Sequence, residues 1–133
     1  MESSRGRCTA MIHLDTNFLI DALVSGSRQE TELMNWLASG EALQISAVAW
    51  GEFLCGPLSA AAEALARRLF PNAEPFELAD AEKAASLFNL TGRRSKSYAD
   101  CCIAAVAIRA QAALATSNRD DFLPMLSHGL LLA

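Results

Sequence analysis

Apolar and polar positions follow two rhythms along this chain. A short apolar run, Met11 to Leu14, stops abruptly at Asp15. Apolar residues then recur at Phe18, Leu19, Ile20, Ala22 and Leu23. The stretch reads as a buried strand over 11–14 passing into a helix from about Asn17 to Val24, broken by Ser25-Gly26-Ser27. A second amphipathic helix is expected from about Gln29 to Ala38, with Leu33, Met34, Trp36 and Leu37 on its apolar face. Leu43 to Ser46 alternates as a short strand, and Ser46 is placed to cap a helix running through Leu54. Gly56-Pro57 stops that helix.

Further helices are expected over Ser59–Leu69, Asp80–Leu90 and Tyr98–Ala113, all rich in alanine. Glu74 to Leu78 reads as a weak edge strand or an extended link. Ala113–Thr116 is a short buried strand, Asp120–Leu126 a turn or short helix, and Leu130–Leu132 a final strand. Strands that alternate with helices predict an α/β fold with a mainly parallel sheet covered on both faces. No internal repeat or linker divides residues 11–133, so they read as one domain. The polar stretch before Met11 reads as a disordered extension, with Met11 as an alternative start.

Composition narrows the picture. The chain has 133 residues, 52% of them hydrophobic and 20% charged, as in a globular protein with a real core. Its net charge of −4 argues against binding nucleic acid through bulk positive charge. Cys8, Cys55, Cys101 and Cys102 show no metal-ligand spacing, and they read as reduced packing thiols of a cytoplasmic protein. Nothing in the sequence is long and apolar enough to span a membrane, and no signal peptide is evident.

The chemistry worth pursuing lies in the acids. Asp15 stands at a strand end. Glu52 lies within an otherwise apolar helix. Asp100 lies in the first turn of an alanine-rich helix. Asp120 and Asp121 follow the strand at 113–116, with Asn118 between. In a parallel sheet such positions fall on one edge. Carboxylates gathered there repel one another unless protons or cations intervene. Mg2+ or Mn2+ with oxygen ligands is the natural counter-charge, and such an ion suits phosphodiester hydrolysis. Each acid alone also has a plainer reading: Asp15 and Asp121 as helix caps, Asp100 as a complement to the helix dipole, Glu52 as a surface residue. Asp21, Asp80, Glu30, Glu32, Glu41, Glu63, Glu74, Glu77 and Glu82 read as solvated surface. Arg93, Arg94 and Lys96 form a basic loop just before Asp100, suited to an RNA backbone or simply to water. His13 and His128 have no partner spacing and receive no role.

The ordered set Leu14-Asp15-Thr16-Asn17-Phe18-Leu19-Ile20, Ile45-Ser46 to Glu52-Phe53-Leu54-Cys55-Gly56, Asp100 to Ala105 and Ala115-Thr116-Ser117-Asn118-Arg119-Asp120-Asp121-Phe122 resembles the PIN-domain nucleases. Within them it is most similar to VapC-type toxins of prokaryotic toxin–antitoxin pairs. The resemblance implies a three-layer α/β/α sandwich, a Mg2+- or Mn2+-dependent endoribonuclease, a homodimer and a cognate antitoxin partner. It places Asp15, Glu52 and Asp100 at the family's acidic positions, with Thr16 and Thr116 as ordering hydroxyls and Asn17 shaping the turn. Asn118 stands where an acid is frequent, and Asp121 matches a second recurrent acid. Two other readings stay open. One is a PIN fold that binds RNA or protein without cutting. The other is phosphatase chemistry of the haloacid-dehalogenase type, which expects an acid where Asn17 stands.

Overall fold

A computed structural model describes residues 11–92 and 97–133. The expected extension over residues 1–10 and the basic-loop residues Arg93, Arg94 and Lys96 lie outside the described residues. The elements in chain order are β1 (Met11–Leu14), α1 (Thr16–Ala22), α2 (Arg28–Ala38), β2 (Ala42–Ile45), α3 (Ala47–Cys55) and α4 (Ala60–Leu69). They continue with α5 (Leu78–Leu90), α6 (Tyr98–Arg109), β3 (Ala113–Ala115), α7 (Arg119–Phe122), a 3-10 turn over Leu123–His128, and β4 (Leu131–Leu132).

Among the described residues four strands pair in parallel in the order β2-β1-β3-β4, flanked by helices. Met11 to Leu14 pair with Ala42 to Ile45 on one side, and Ile12 to Leu14 pair with Ala113 to Ala115 on the other. The chain therefore leaves β1 first toward β2 and later returns to its other side at β3. That reversal is a topological switch point, where a crevice opens beyond the carboxyl ends of the strands.

The central strand is apolar because both of its faces are covered. Ile12, Leu14, Ile45 and Leu114 are buried, and Leu19, Phe53, Leu87, Phe122 and Met125 pack into the same core. Helix α6 is buried at every position from Cys101 to Ala107. Small side chains (Ala, Cys) let it lie close to α5 and to β3 at once. In α2 only Leu33 is buried, and Met34 and Leu37 of its expected apolar face are exposed. The expected edge strand at 74–78 is reduced to one bridge, Ser46 with Glu74, held by Glu74 N to Ile45 O and Ala47 N to Glu74 O, both 2.8 Å.

Helix α6 ends four residues before the predicted limit at Ala113. Gln111 takes a left-handed conformation (φ 56°). Its amide donates to Ile108 O and that of Ala112 to Ala107 O, a Schellman closure built without glycine. Sequence punctuation gives no hint of this, since glutamine favours helix interiors.

Asp80 corrects a second expectation. It is not solvated surface but buried, with 1% of its area exposed. Arg109 at the end of α6 grips it with two hydrogen bonds, Nε to Oδ1 at 2.8 Å and Nη2 to Oδ2 at 3.0 Å. Arg109 also donates to Glu74 Oε2 at 3.1 Å and to the Pro75 carbonyl at 2.9 Å. The Asp80 carboxylate further accepts the Glu77 amide at 2.9 Å, closing the capping box of α5. Burial pushes the Asp80 carboxyl up, but the Arg109 and Glu77 hydrogen bonds outweigh it and hold the carboxyl below its ordinary value. Truncating Asp80 removes two of the guanidinium's hydrogen bonds and opens the cap. Asp80→Ala should cost about 3 kcal/mol in urea unfolding. Asp80→Asn, which keeps an acceptor for the cap, should cost less. An Asp80→Ala protein as stable as the parent would contradict this account.

Candidate active site

The crevice at the switch point is flanked by the ends of β1 and β3. Asp15 follows β1, and Thr116 follows β3. The last ladder bond between the two strands runs from Asp15 N to Ala115 O at 2.9 Å. Asp15 is 4% exposed. Its carboxylate is held by Thr116, whose hydroxyl donates to Oδ2 at 2.6 Å, and by the Asn17 amide, which donates to Oδ1 at 3.2 Å. The second contact is the N-cap of α1. The plain reading of Asp15 as a cap is met, and it uses one oxygen only: Oδ1 starts the helix, while Oδ2 is bonded to Thr116 at the end of β3.

Thr16 opens α1 and reaches α3. Its hydroxyl donates to Glu52 Oε1 at 2.8 Å and lies 3.4 Å from the Ala49 carbonyl. Helix α3 is aimed there by the Ser46 cap, whose hydroxyl accepts the Ala49 amide at 3.1 Å. Asp100 enters from the first turn of α6, where Ser97 caps the helix by accepting the Asp100 amide at 3.1 Å. The Asn118 amide donates to Thr116 Oγ1 at 2.9 Å. Thr116 thus relays order from the β3–α7 loop into Asp15. The loop residues Ser117 to Asp121 line an open cavity of about 470 Å3.

The charges feel one another. Burial pushes the Asp15 carboxyl above its ordinary value; the Thr116 and Asn17 hydrogen bonds oppose this, and the charge of Glu52 adds to it. Asp100 is pushed up to about 6 by burial first, then by the charges of Asp15, Asp121 and Glu52. Asp15, Glu52, Asp100 and Asp121 therefore share one electrostatic neighbourhood. Among the acids of the loop, Asp121 is the one whose charge raises Asp100. Asn118 is exposed and joins through its backbone amide. Asn17 likewise contributes its amide, with an exposed side chain.

The donors gathered here are carboxylates and hydroxyls. Among the described residues, no three acidic, histidine or cysteine side chains stand close enough together to hold a metal ion. Asp21 and Ser117, passed over in the sequence, belong to the edge of this region: Ser117 donates to Asp21 Oδ2 at 2.8 Å. The residues are 96 apart in sequence, and only the fold reveals them as a pair.

The PIN domain family model matches residues 12–124. The chain belongs to the PIN-domain family. Its fold is similar to a toxin-antitoxin complex from Klebsiella pneumoniae, at 28% identity, with 86% of this chain and 91% of that chain covered and a TM-score of 0.66. It is also similar to DNA-bound VapBC from Salmonella typhimurium, at 20% identity, 94% and 98% coverage and a TM-score of 0.70. A third similar structure is VapBC2 from Rickettsia felis bound to a DNA fragment from its promoter, at 16% identity, 92% and 97% coverage and a TM-score of 0.70. No curated protein sequence matches the chain significantly. In this PIN domain no helix among the described residues is long and apolar enough to cross a membrane.

The raised Asp100 makes the PIN domain's stability depend on pH in a defined direction. The folded state holds this proton more tightly than the unfolded chain, where the ordinary value is 3.8. The stabilisation is complete below the unfolded value and is lost as pH rises through about 6. At about pH 7.5 with chelator present, Asp100→Asn should therefore melt at a higher temperature than the parent, and the gain should vanish at about pH 4. A variant that melts lower at the higher pH would contradict the repulsion described here.

Proposed function

We propose that this PIN domain is a VapC-like toxin that hydrolyses RNA phosphodiester bonds with Mg2+ or Mn2+. The observation that carries the reading is the gathering of Asp15, Glu52, Asp100 and Asp121 at the switch-point crevice of a PIN-family chain. The donor chemistry suits a hard divalent ion, since the side-chain ligands are oxygen and neighbouring charges raise Asp15 and Asp100. Asp15, Glu52 and Asp100 would hold it, with Asp121 or the Asn118 side chain completing the set. Such an ion supplies an activated water and charge neutralisation at the scissile phosphate.

The chain's own residues prepare that chemistry. Thr116 holds one Asp15 oxygen in place, and Thr16 holds one Glu52 oxygen. Because both acceptors are fixed before substrate arrives, little reorganisation is left for the reaction. In the ion-free site Asp100 is half protonated at about pH 6, so an ion binding there competes with that proton and binds more tightly as pH rises. Arg93, Arg94 and Lys96, next to Asp100 in sequence, are proposed to meet the RNA backbone.

The structural neighbours support an antitoxin partner, because they are toxin-antitoxin complexes. An apolar cleft of about 240 Å3, lined by Ile20, Leu23, Val24, Phe53, Pro57 and Leu58, lies on the helices that carry Thr16 and Glu52. A partner helix filling it would bring a basic side chain to the acids. The exposed Met34, Leu37, Leu54 and Leu65 on α2 to α4 offer surface for a homodimer, in the cytoplasm where such pairs act.

The purified chain should cut single-stranded RNA with Mg2+ or Mn2+ and stop with EDTA. Asp15→Asn should reduce the rate on the order of 100-fold or more while keeping the fold by circular dichroism. Cleavage that persists in EDTA and in Asp15→Asn would overturn the nuclease reading. Tight RNA binding with no cleavage in any divalent ion would favour instead a PIN fold that binds without cutting.

A further inference from the structure

Ser117 ties the site loop to the first two helices. Its hydroxyl donates to Asp21 Oδ2 at 2.8 Å and accepts from Gln29 Nε2 at 3.3 Å. Asp21 lies on α1, and Gln29 lies in the first turn of α2. The two helices are joined at the same place by Ser27, whose hydroxyl donates to the Asp21 carbonyl at 2.7 Å and accepts the Glu30 amide at 3.0 Å. Asp21, Ser117, Gln29 and Ser27 are all half-buried, so water competes with these bonds only in part.

The backbone at 116–118 lies past the last ladder bond between β1 and β3. Beyond Ala115 the sheet no longer holds the chain, and side chains take over. The Thr116 hydroxyl has a single proton. It donates to Asp15 at 2.6 Å while accepting the Asn118 amide at 2.9 Å. Both bonds require residues 116–118 to keep one position relative to α1. Ser117 supplies that reference, and Asp21 is suited to receive it. A carboxylate accepts without a proton of its own, which commits the Ser117 proton outward and leaves its lone pairs for Gln29.

We infer that Asp21 and Ser117 are positioning residues, whose hydrogen bond holds the β3–α7 loop against α1 so that Thr116 aims its hydroxyl at Asp15. The inference deepens the nuclease reading and rests on it for its functional consequence.

The test uses the full chain and four variants: Ser117→Ala, Ser117→Thr, Asp21→Ala and Asp21→Asn. Mn2+ binding is measured by calorimetry without RNA. Amide exchange at Asn118 is measured by NMR in metal-free protein, with thermal melts to verify folding. Ser117→Ala and Asp21→Ala should weaken Mn2+ binding about tenfold. They should also speed Asn118 exchange about tenfold, with the Leu14 amide of the central strand unchanged. Ser117→Thr keeps the hydroxyl and Asp21→Asn keeps an acceptor, so both should stay within about threefold of the parent in Mn2+ affinity and exchange. Parental exchange and Mn2+ affinity in folded Ser117→Ala would overturn the inference. So would an Asp21→Asn as damaging as Asp21→Ala, since the effect would then be one of charge. A parent chain that binds no Mn2+ would sink the nuclease reading instead, and the exchange rates alone would then decide the positioning role.

Discussion

Asp15 carries a carboxylate nearly sealed from water at the end of the central strand. A group so placed costs several kcal/mol unless it is hydrogen-bonded or its charge is met. The surrounding elements can be understood as answers to that cost. The first turn of α1 offers the Asn17 amide, the end of β3 offers the Thr116 hydroxyl, and the β3–α7 loop braces Thr116 through the Asn118 amide. These bonds offset desolvation in part, since burial still leaves the Asp15 carboxyl above its ordinary value. The residual is a carboxyl that keeps its proton more readily than an exposed aspartate does.

Much of this was legible in the sequence because strand ends in parallel sheets leave a strong local signature. The apolar run before Asp15, the Ser46 cap and the abrupt polar turn after Thr116 each declare their element from a few neighbouring residues. The strand-and-helix alternation predicted a parallel sheet, and the sheet is parallel throughout. The order β2-β1-β3-β4 was not legible, because no local pattern says to which side of β1 a later strand returns. The same limit hid Asp80 with Arg109, which lie 29 positions apart, and Ser117 with Asp21. An acid in a helical stretch looks solvated until a distant arginine is folded onto it. The end of α6 was missed for a different reason. The left-handed residue there is Gln111 rather than glycine, and tertiary packing overrides its local preference.

His13 shows how closely the fold serves the strand it sits in. It is 1% exposed on β1, and among the described residues neither ring nitrogen has a hydrogen-bond partner. Burial lowers its pKa, the charge of Glu74 raises it, and that of Arg109 lowers it again. The ring is therefore held neutral beneath the acidic edge, where a proton on it would cost desolvation. Arg109 acts at both ends of this arrangement. It neutralises Asp80 and Glu74 on the flank of the sheet and helps keep His13 uncharged within it.

The bond from Thr116 to Asp15 spans 101 positions of sequence. The residues that brace it and add the nearby charge, Asn118 and Asp121, lie just after β3, at the start of α7. A chain emerging from the ribosome therefore carries Asp15 and Glu52 long before it owns the strand that places them. Until β3 inserts beside β1, the central strand has one neighbour and the crevice has one wall. The acidic edge is thus closed only when β3 inserts, and a product cut short of β3 lacks Thr116 and the loop that braces it. For a protein whose proposed activity would harm the cell that makes it, topology alone ties that activity to the arrival of β3 on the far side of β1.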